Sequence, residues 1–258
     1  MDYYIINAFT TERFSGNPAA VCPLTEWLPD STLLKIAAQH NLSETAFFIK
    51  EQNTFHLRWF TPTIEVQLCG HATLAAAHVI FHELNYPGEE IIFTSLSGEL
   101  QVTRNDSIYT LNFPVDTLHE TNYPDVLIKA IPKTAQNWGI GKTFFLVELK
   151  DEDEVHALIP DISLLKQVKA AGVIITAKGT DVDFVSRVFA PQSGIDEDPV
   201  TGSAHCLLIP YWAKKLEKQQ LVARQISKRG GLLYCSNLGD RVLIGGKAQT
   251  FALGKMLI

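Results

Sequence analysis

Glu44, His71, Asp198 and Ser203 are the side chains whose types and settings could carry chemistry. Glu44 lies in Asn41-Leu42-Ser43-Glu44-Thr45-Ala46-Phe47, directly before an apolar run. A carboxylate at the mouth of a β-core is partly desolvated, which raises its pKa towards working pH and lets it take and return a proton. The same position also reads as an exposed strand-end glutamate, and spacing does not decide between the two. His71 falls in the first turn of an apolar helix, where the helix N-terminus disfavours the cation and keeps an imidazole that can both donate and accept. Asp198 precedes a second such helix and reads equally as its N-cap or first-turn residue. Ser203 mirrors His71 in that second helix. Gly70 and Gly202 open the two helices. Unpaired N–H groups there bind anions without a basic side chain, and glycine lets a ligand approach closely; both glycines could also merely permit tight turns. Proton transfer beside a bound anion is the chemistry these groups suggest.

The elements that must position them are mostly strands. Tyr3–Phe9, Phe55–Phe60, Glu90–Thr94, Ser107–Phe113, Thr143–Leu149, Gly172–Ala177, Asp183–Val188 and Arg241–Ile244 are short, rich in β-branched or aromatic residues and bounded by turn formers. Asp106-Ser107 and Leu238-Gly239-Asp240 read as hairpin turns. Ser31–His40 reads as a surface helix with Asp30 as N-cap. His71–Leu84 and Ser203–Leu216 are different: each is apolar around nearly its whole circumference, the mark of a helix buried on several sides. The second turns polar only in its last turn, and Pro210 should kink it.

A repeat connects these pieces. Arg58-Trp59-Phe60-Thr61-Pro62 leads to Glu65, Gly70 and the first buried helix; Arg187-Val188-Phe189-Ala190-Pro191 leads to Glu197, Gly202 and the second. The order of strand, proline turn, acidic loop, glycine and buried helix therefore occurs twice, which points to duplication. The expectation is an α+β protein of two similar domains, each with its strands wrapped on one buried helix. The first spans 1–115 with a returning strand at 247–258, and the second spans 116–246.

Bulk properties exclude other classes. The 258 residues are 46% hydrophobic and 19% charged, with 22 basic against 28 acidic residues and a net charge of −6. That is a globular composition, and it lacks the basic clusters of a nucleic-acid binder. Asp151-Glu152-Asp153-Glu154 reads as a solvated turn. No apolar run approaches the roughly 18 residues of a membrane span. Met1-Asp2-Tyr3-Tyr4 reads as a strand rather than a leader, and four scattered cysteines without a C-x-x-C pair read as reduced thiols, so a cytoplasmic protein is expected. Neither Cys69-Gly70-His71 nor His205-Cys206 has a common zinc spacing, and no Walker loop, nucleophile elbow or dinucleotide fingerprint occurs. No metal and no cofactor are expected.

Gly16-Asn17-Pro18-Ala19-Ala20-Val21, the Glu44 segment, Cys69-Gly70-His71-Ala72-Thr73, Glu197-Asp198-Pro199-Val200-Thr201-Gly202-Ser203-Ala204 and Arg229-Gly230-Gly231 together resemble the PhzF-like, or phenazine-biosynthesis-like, family. The resemblance implies the diaminopimelate-epimerase-like fold, with each domain a mixed sheet rolled around a central α-helix. It also implies a homodimer, and an isomerase that moves a proton between carbons of a small carboxylate without metal or cofactor. It implies Glu44 as the catalytic acid–base, with His71, Asp198 and Ser203 in support. Gly70, Gly202 and Thr201 would bind substrate. The wider superfamily's epimerases and proline racemases use two opposed thiols. Here Cys69 holds the first thiol position, but Asp198-Pro199-Val200 stands at the second, which disfavours a two-thiol mechanism. Two other readings stay open: a non-catalytic ligand- or partner-binding protein, and a racemase or epimerase working Glu44 against a second base such as Asp198.

Overall fold

The computed structural model describes all of residues 1–258, which divide into two units, Met1–Asn112 with Gly245–Ile258, and Phe113–Ile244. The first unit begins with β1 (Asp2–Ala8) and β2 (Asn17–Leu24), then α1 (Asp30–His40), β3 (Thr45–Glu51), β4 (Thr54–Phe60) and the short β5 (Glu65–Val66). Next come α2 (Gly70–His78), a π-helical turn (Val79–Glu83), β6 (Glu90–Ser95), β7 (Gly98–Asn105) and β8 (Ile108–Pro114), within which the chain passes to the second unit. That unit continues with α3 (Asp125–Ala130), β9 (Asn137–Ile140), β10 (Phe144–Glu148), α4 (Glu152–Ala157), α5 (Ile162–Leu165), β11 (Gly172–Lys178) and β12 (Phe184–Ala190). A 3-10 turn (Pro191–Ser193), β13 (Ile195–Asp198), α6 (His205–Leu216), β14 (Gln220–Gln225), β15 (Gly231–Asn237) and β16 (Arg241–Gly246) follow. β17 (Ala248–Lys255) ends the chain.

One pattern of pairings is written twice. In the first unit β1–β2 is antiparallel, β2–β3 parallel, β3–β4 antiparallel, β4–β6 parallel and β6–β7 antiparallel. In the second, β9–β10 is antiparallel, β10–β11 parallel, β11–β12 antiparallel, β12–β14 parallel and β14–β15 antiparallel. The short acidic strands β5 and β13 each add antiparallel to the central strand of their unit. The duplication legible in the R-x-F-[TA]-P segments thus extends to the strand pairing of each unit. In the first unit β17 pairs antiparallel with β1.

Each unit holds a mixed sheet with a central helix on one face and outer helices on the other. α2 is buried over all nine of its residues and packs on β1, β2, β3 and β17. Its run of alanines suits that place, since small side chains let strands approach from several sides. On the outer face Leu33, Ile36 and Ala37 of α1 meet Cys22, Phe47 and Phe60, residues of successive strands that point the same way. In the second unit Phe145, Val147, Val173, Ile175 and Ala177 alternate along β10 and β11 towards α3, α4 and α5. α6 packs on β14 and β15, and its Trp212 Nε1 donates to Thr176 Oγ1 at 3.0 Å.

Several local expectations are corrected. Asp30 is not the N-cap of α1: Pro29 precedes the helix, and Asp30 lies in its first turn, where its carboxylate suits the dipole and accepts from Arg58 Nη2 at 2.9 Å. The acidic run is not a turn but the start of α4, whose N-cap Asp151 accepts from the Glu154 N–H at 3.0 Å. The first buried helix is α-helical only to His78, and α6 begins at His205 rather than Ser203. Nor is α6 buried on every side, because Cys206, Pro210 and Tyr211 are half-buried. The helix runs on through Pro210, whose ring nitrogen cannot donate to the Cys206 carbonyl; the Asp116 N–H donates to it instead, at 3.0 Å. No helix is long and apolar enough to cross a membrane.

Candidate active site

In the first unit, β3 and α2 bring Glu44 and His71 together. Glu44 is the residue before β3, whose first position, Thr45, pairs with Phe60 at the end of β4. His71 is the second residue of α2, whose N-cap is Cys69 in extended conformation. His71 Nε2 lies 3.4 Å from a Glu44 carboxylate oxygen, close but not aligned as a hydrogen bond. The Glu44 side chain is 15% exposed and that of His71 6%, so the carboxylate is half-buried rather than solvated. Burial pushes the His71 pKa down to about 3, because no water remains to solvate the cation. The imidazole is therefore neutral at ordinary pH. Its Nδ1 lies 3.5 Å from Cys69 Sγ, and the Cys69 carbonyl is held by the Thr73 hydroxyl at 2.6 Å. Gly70 is the first residue of α2, so its N–H belongs to the set with no partner inside the helix.

The second unit places its residues differently. Asp198 closes β13, and its Oδ2 accepts the Thr201 hydroxyl at 2.5 Å. The Thr201 N–H donates to Gln225 Oε1 at 2.8 Å, while Gln225 Nε2 donates to the Asp198 carbonyl at 2.7 Å and to Thr201 Oγ1 at 3.2 Å. Thr201 is thus spent on holding its own loop. His205 Nδ1 lies 2.8 Å from the Thr201 carbonyl; a carbonyl only accepts, so Nδ1 carries the proton. Complete burial lowers the His205 pKa to about 4, and the bond to Thr201 opposes that shift. Gly202 and Ser203 lie in a turn ahead of α6, closed by His205 N–H to Gly202 C=O at 3.0 Å and Cys206 N–H to Ser203 C=O at 3.1 Å. Ser203 is exposed, so it does not mirror His71, which is buried inside α2.

Two further features lie beyond the residues that the sequence marks as a site. Gln225, at the end of β14, is the buried hub of the Asp198–Thr201 loop, yet nothing in its local sequence distinguishes it. The paired arginines do carry a signal, the repeat itself. Arg58 makes a bidentate bridge to Glu65, both bonds at 2.7 Å, and lies over the Phe60 ring. Arg187 bridges Glu197 at 2.7 and 3.0 Å and lies over Phe189. In each unit the bridge ties the short acidic strand to its neighbour just before the helix. The family-like glycines also have local reasons. Gly16 has φ +72°, and a Cβ there would collide with the Ala8 carbonyl, while Gly230 at φ +68° donates to Ser227 Oγ, which in turn holds the Pro199 carbonyl. Glu44, Cys69 and His71 are also of the right types, with ligating atoms within 4.8 Å of one another, to hold a metal ion.

The phenazine biosynthesis-like protein family matches residues 6–254. An uncharacterized isomerase of Pseudomonas aeruginosa is 47% identical over 256 residues, covering 99% of this chain and 98% of that protein. The crystal structure of a PhzF-family phenazine biosynthesis protein from Enterococcus faecalis aligns with a TM-score of 0.97 and 46% identity, covering 100% and 99% of the two chains. A hydroxyproline epimerase from Agrobacterium vitis shares the fold alone, at a TM-score of 0.60 and 10% identity over 98% and 91%. The fold is the diaminopimelate-epimerase-like one, and the chain belongs to the PhzF, or phenazine biosynthesis-like, family.

Proposed function

We propose that this protein is an isomerase that moves a proton between carbons of a small carboxylate-bearing substrate, with Glu44 as the acid–base and no cofactor. The observation that carries this reading is a half-buried carboxylate beside an imidazole that burial keeps neutral. A neutral neighbour does not clamp Glu44 in its ionised form as a cation would, so the carboxylate can both take and release a proton. The step balances simply. Glu44 removes a proton from one carbon, the electron pair shifts through an adjacent double bond, and Glu44 returns the proton to the carbon at the far end. His71 assists the transfer. The amide at Gly70, the first residue of α2, binds the substrate carboxylate. Relatives named as isomerases support the reaction class.

The test is incubation with a panel of small cyclic and amino carboxylic acids in deuterated buffer, followed by mass spectrometry. Deuterium enters the substrate in the wild type, and Glu44→Gln lowers the rate by about 10²–10⁴-fold. A ligand that binds without exchange would turn the reading towards a binding protein. Stereochemical inversion without a double-bond shift would make it a racemase or epimerase. As a homodimer, the assembly we propose from the family likeness, the chain would sediment at twice its 28.7 kDa mass.

A further inference from the structure

We propose that His78, His82 and Glu83, at the far end of α2, form a binding site for a divalent transition-metal ion of the zinc type. Each offers one ligand atom, and these atoms lie within 4.8 Å of one another. His78 lies seven residues beyond His71, roughly 10 Å further along the helix axis, so this cluster is separate from Glu44.

Three observations point to one place. First, the geometry converges. His82 Nδ1 is 3.2 Å from Glu83 Oε1, close to the roughly 3.3 Å between two donors on a tetrahedral zinc with bonds near 2.05 Å. The Thr250 hydroxyl donates to Glu83 Oε1 at 2.5 Å and accepts from His78 Nε2 at 2.9 Å, so both atoms already face one point, which an ion would take by displacing these two hydrogen bonds. Second, within the helical run Gly70–Glu83 the backbone departs from α-helix only here. Val79–Glu83 is a π-helical turn, closed by the Leu84 N–H to the Val79 carbonyl at 2.9 Å. The wider turn swings Glu83, five residues after His78, back towards the histidine face; a regular α-helix would turn it away. Such turns are poor in intrinsic stability and concentrate at functional sites. Third, a cavity of about 640 Å³ opens beside the cluster and is lined by His78, His82, Tyr109 and Thr250.

The donors suit zinc better than magnesium or calcium. Two imidazoles and one carboxylate are a nitrogen-rich set that leaves a fourth position open. The outer partner is present too. Tyr109 Oη lies 2.9 Å from His78 Nδ1 and can accept a hydrogen bond from it in the tautomer whose Nε2 is free to bind the metal. Arg104 and Lys247 also line the cavity, so an anion is the expected fourth ligand.

The experiment titrates Zn²⁺ into untagged, chelator-dialysed protein by calorimetry. One equivalent binds per chain. His82→Ala, at a side chain 66% exposed and so harmless to the fold, weakens binding at least tenfold. Tyr109→Phe, which touches no metal, weakens it by roughly 10–100-fold. Cys69→Ala leaves it unchanged. Thermal midpoints of each variant without zinc confirm that it is folded. Failure of the wild type to bind Zn²⁺, binding undiminished in His82→Ala, or binding lost in Cys69→Ala would each overturn the proposal.

Discussion

His71 Nε2 stands 3.4 Å from the Glu44 carboxylate, and the histidine of that pair is the uncharged member, its pKa near 3. Its place inside α2, packed on β1, β2 and β3, is what removes the solvent that a cation would need. The consequence is kinetic. If an acid limb occurs in the pH profile of kcat/KM between pH 5 and 8, it does not come from His71. Wild type and His71→Asn therefore share the same limb, although the variant turns over more slowly. A limb near pH 6.5 that vanishes in His71→Asn would mean that the imidazolium forms in the working range.

Buried neutral histidines also set the response of stability to acid. His71 and His205 have folded pKa values of about 3 and about 4, below the unfolded value near 6.5. Above pH 6.5 both states are neutral and nothing is lost. As pH falls below 6.5 the unfolded chain takes up protons that the folded one refuses, so stability drops until pH reaches the folded values. At pH 5 each residue costs about 2 kcal/mol. Urea unfolding at pH 7 and pH 5 checks this through the difference between the two. In His205→Gln that difference shrinks by about 2 kcal/mol, whatever the variant's absolute stability. An unchanged difference refutes the assignment.

The loop at Asp198 depends on one side chain from β14. Gln225 is fully buried, accepts the Thr201 N–H and donates to the Asp198 carbonyl. Gln225→Leu has similar bulk but leaves both backbone groups without that partner, costing about 1–3 kcal/mol for each group left unsatisfied. Asp198 and Thr201 then lose their fixed geometry, and the loss is read as a lower urea midpoint. An equal midpoint in variant and wild type would mean that Gln225 does not hold the loop.

Part of this architecture is legible in the sequence and part is not, for physical reasons. The two central helices are legible because a run apolar on every side suits few places other than the middle of a core, and α2 indeed buries every residue. β2 is hidden by Pro18 and Pro23, which argue against a strand interior, although Pro18 sits near the strand's start. Glu44 and His71 are legible as candidates, but their contact is not, since it depends on β3 meeting α2. Gln225 has no signal at all: a glutamine ending a strand is ordinary until its partners are known. The π-helical turn is equally silent, yet His78 and His82 carry an H-x₃-H spacing that draws notice only once Glu83 is seen to swing back beside them.

The duplicated bridges give the last prediction, because their surroundings differ. Arg58 answers Glu65 and also the exposed Asp30. Arg187 answers Glu197 and also the Val155 and Leu158 carbonyls, at 3.2 and 2.6 Å. Those carbonyls belong to the end of α4, where the backbone has no helical donor left. A lysine keeps the charge but not the planar fork, and it cannot hold the carboxylate in two-point contact while reaching both carbonyls. Arg187→Lys should therefore destabilise the second unit by about 2–3 kcal/mol, below the roughly 3–5 kcal/mol of a fully buried broken pair. Arg58→Lys should cost less, about 1 kcal/mol, since its extra partner is an exposed carboxylate that a lysine also satisfies. Chemical denaturation of the two variants side by side decides it. Equal losses would mean that the carbonyl contacts contribute nothing, and that the two bridges are energetic as well as structural copies.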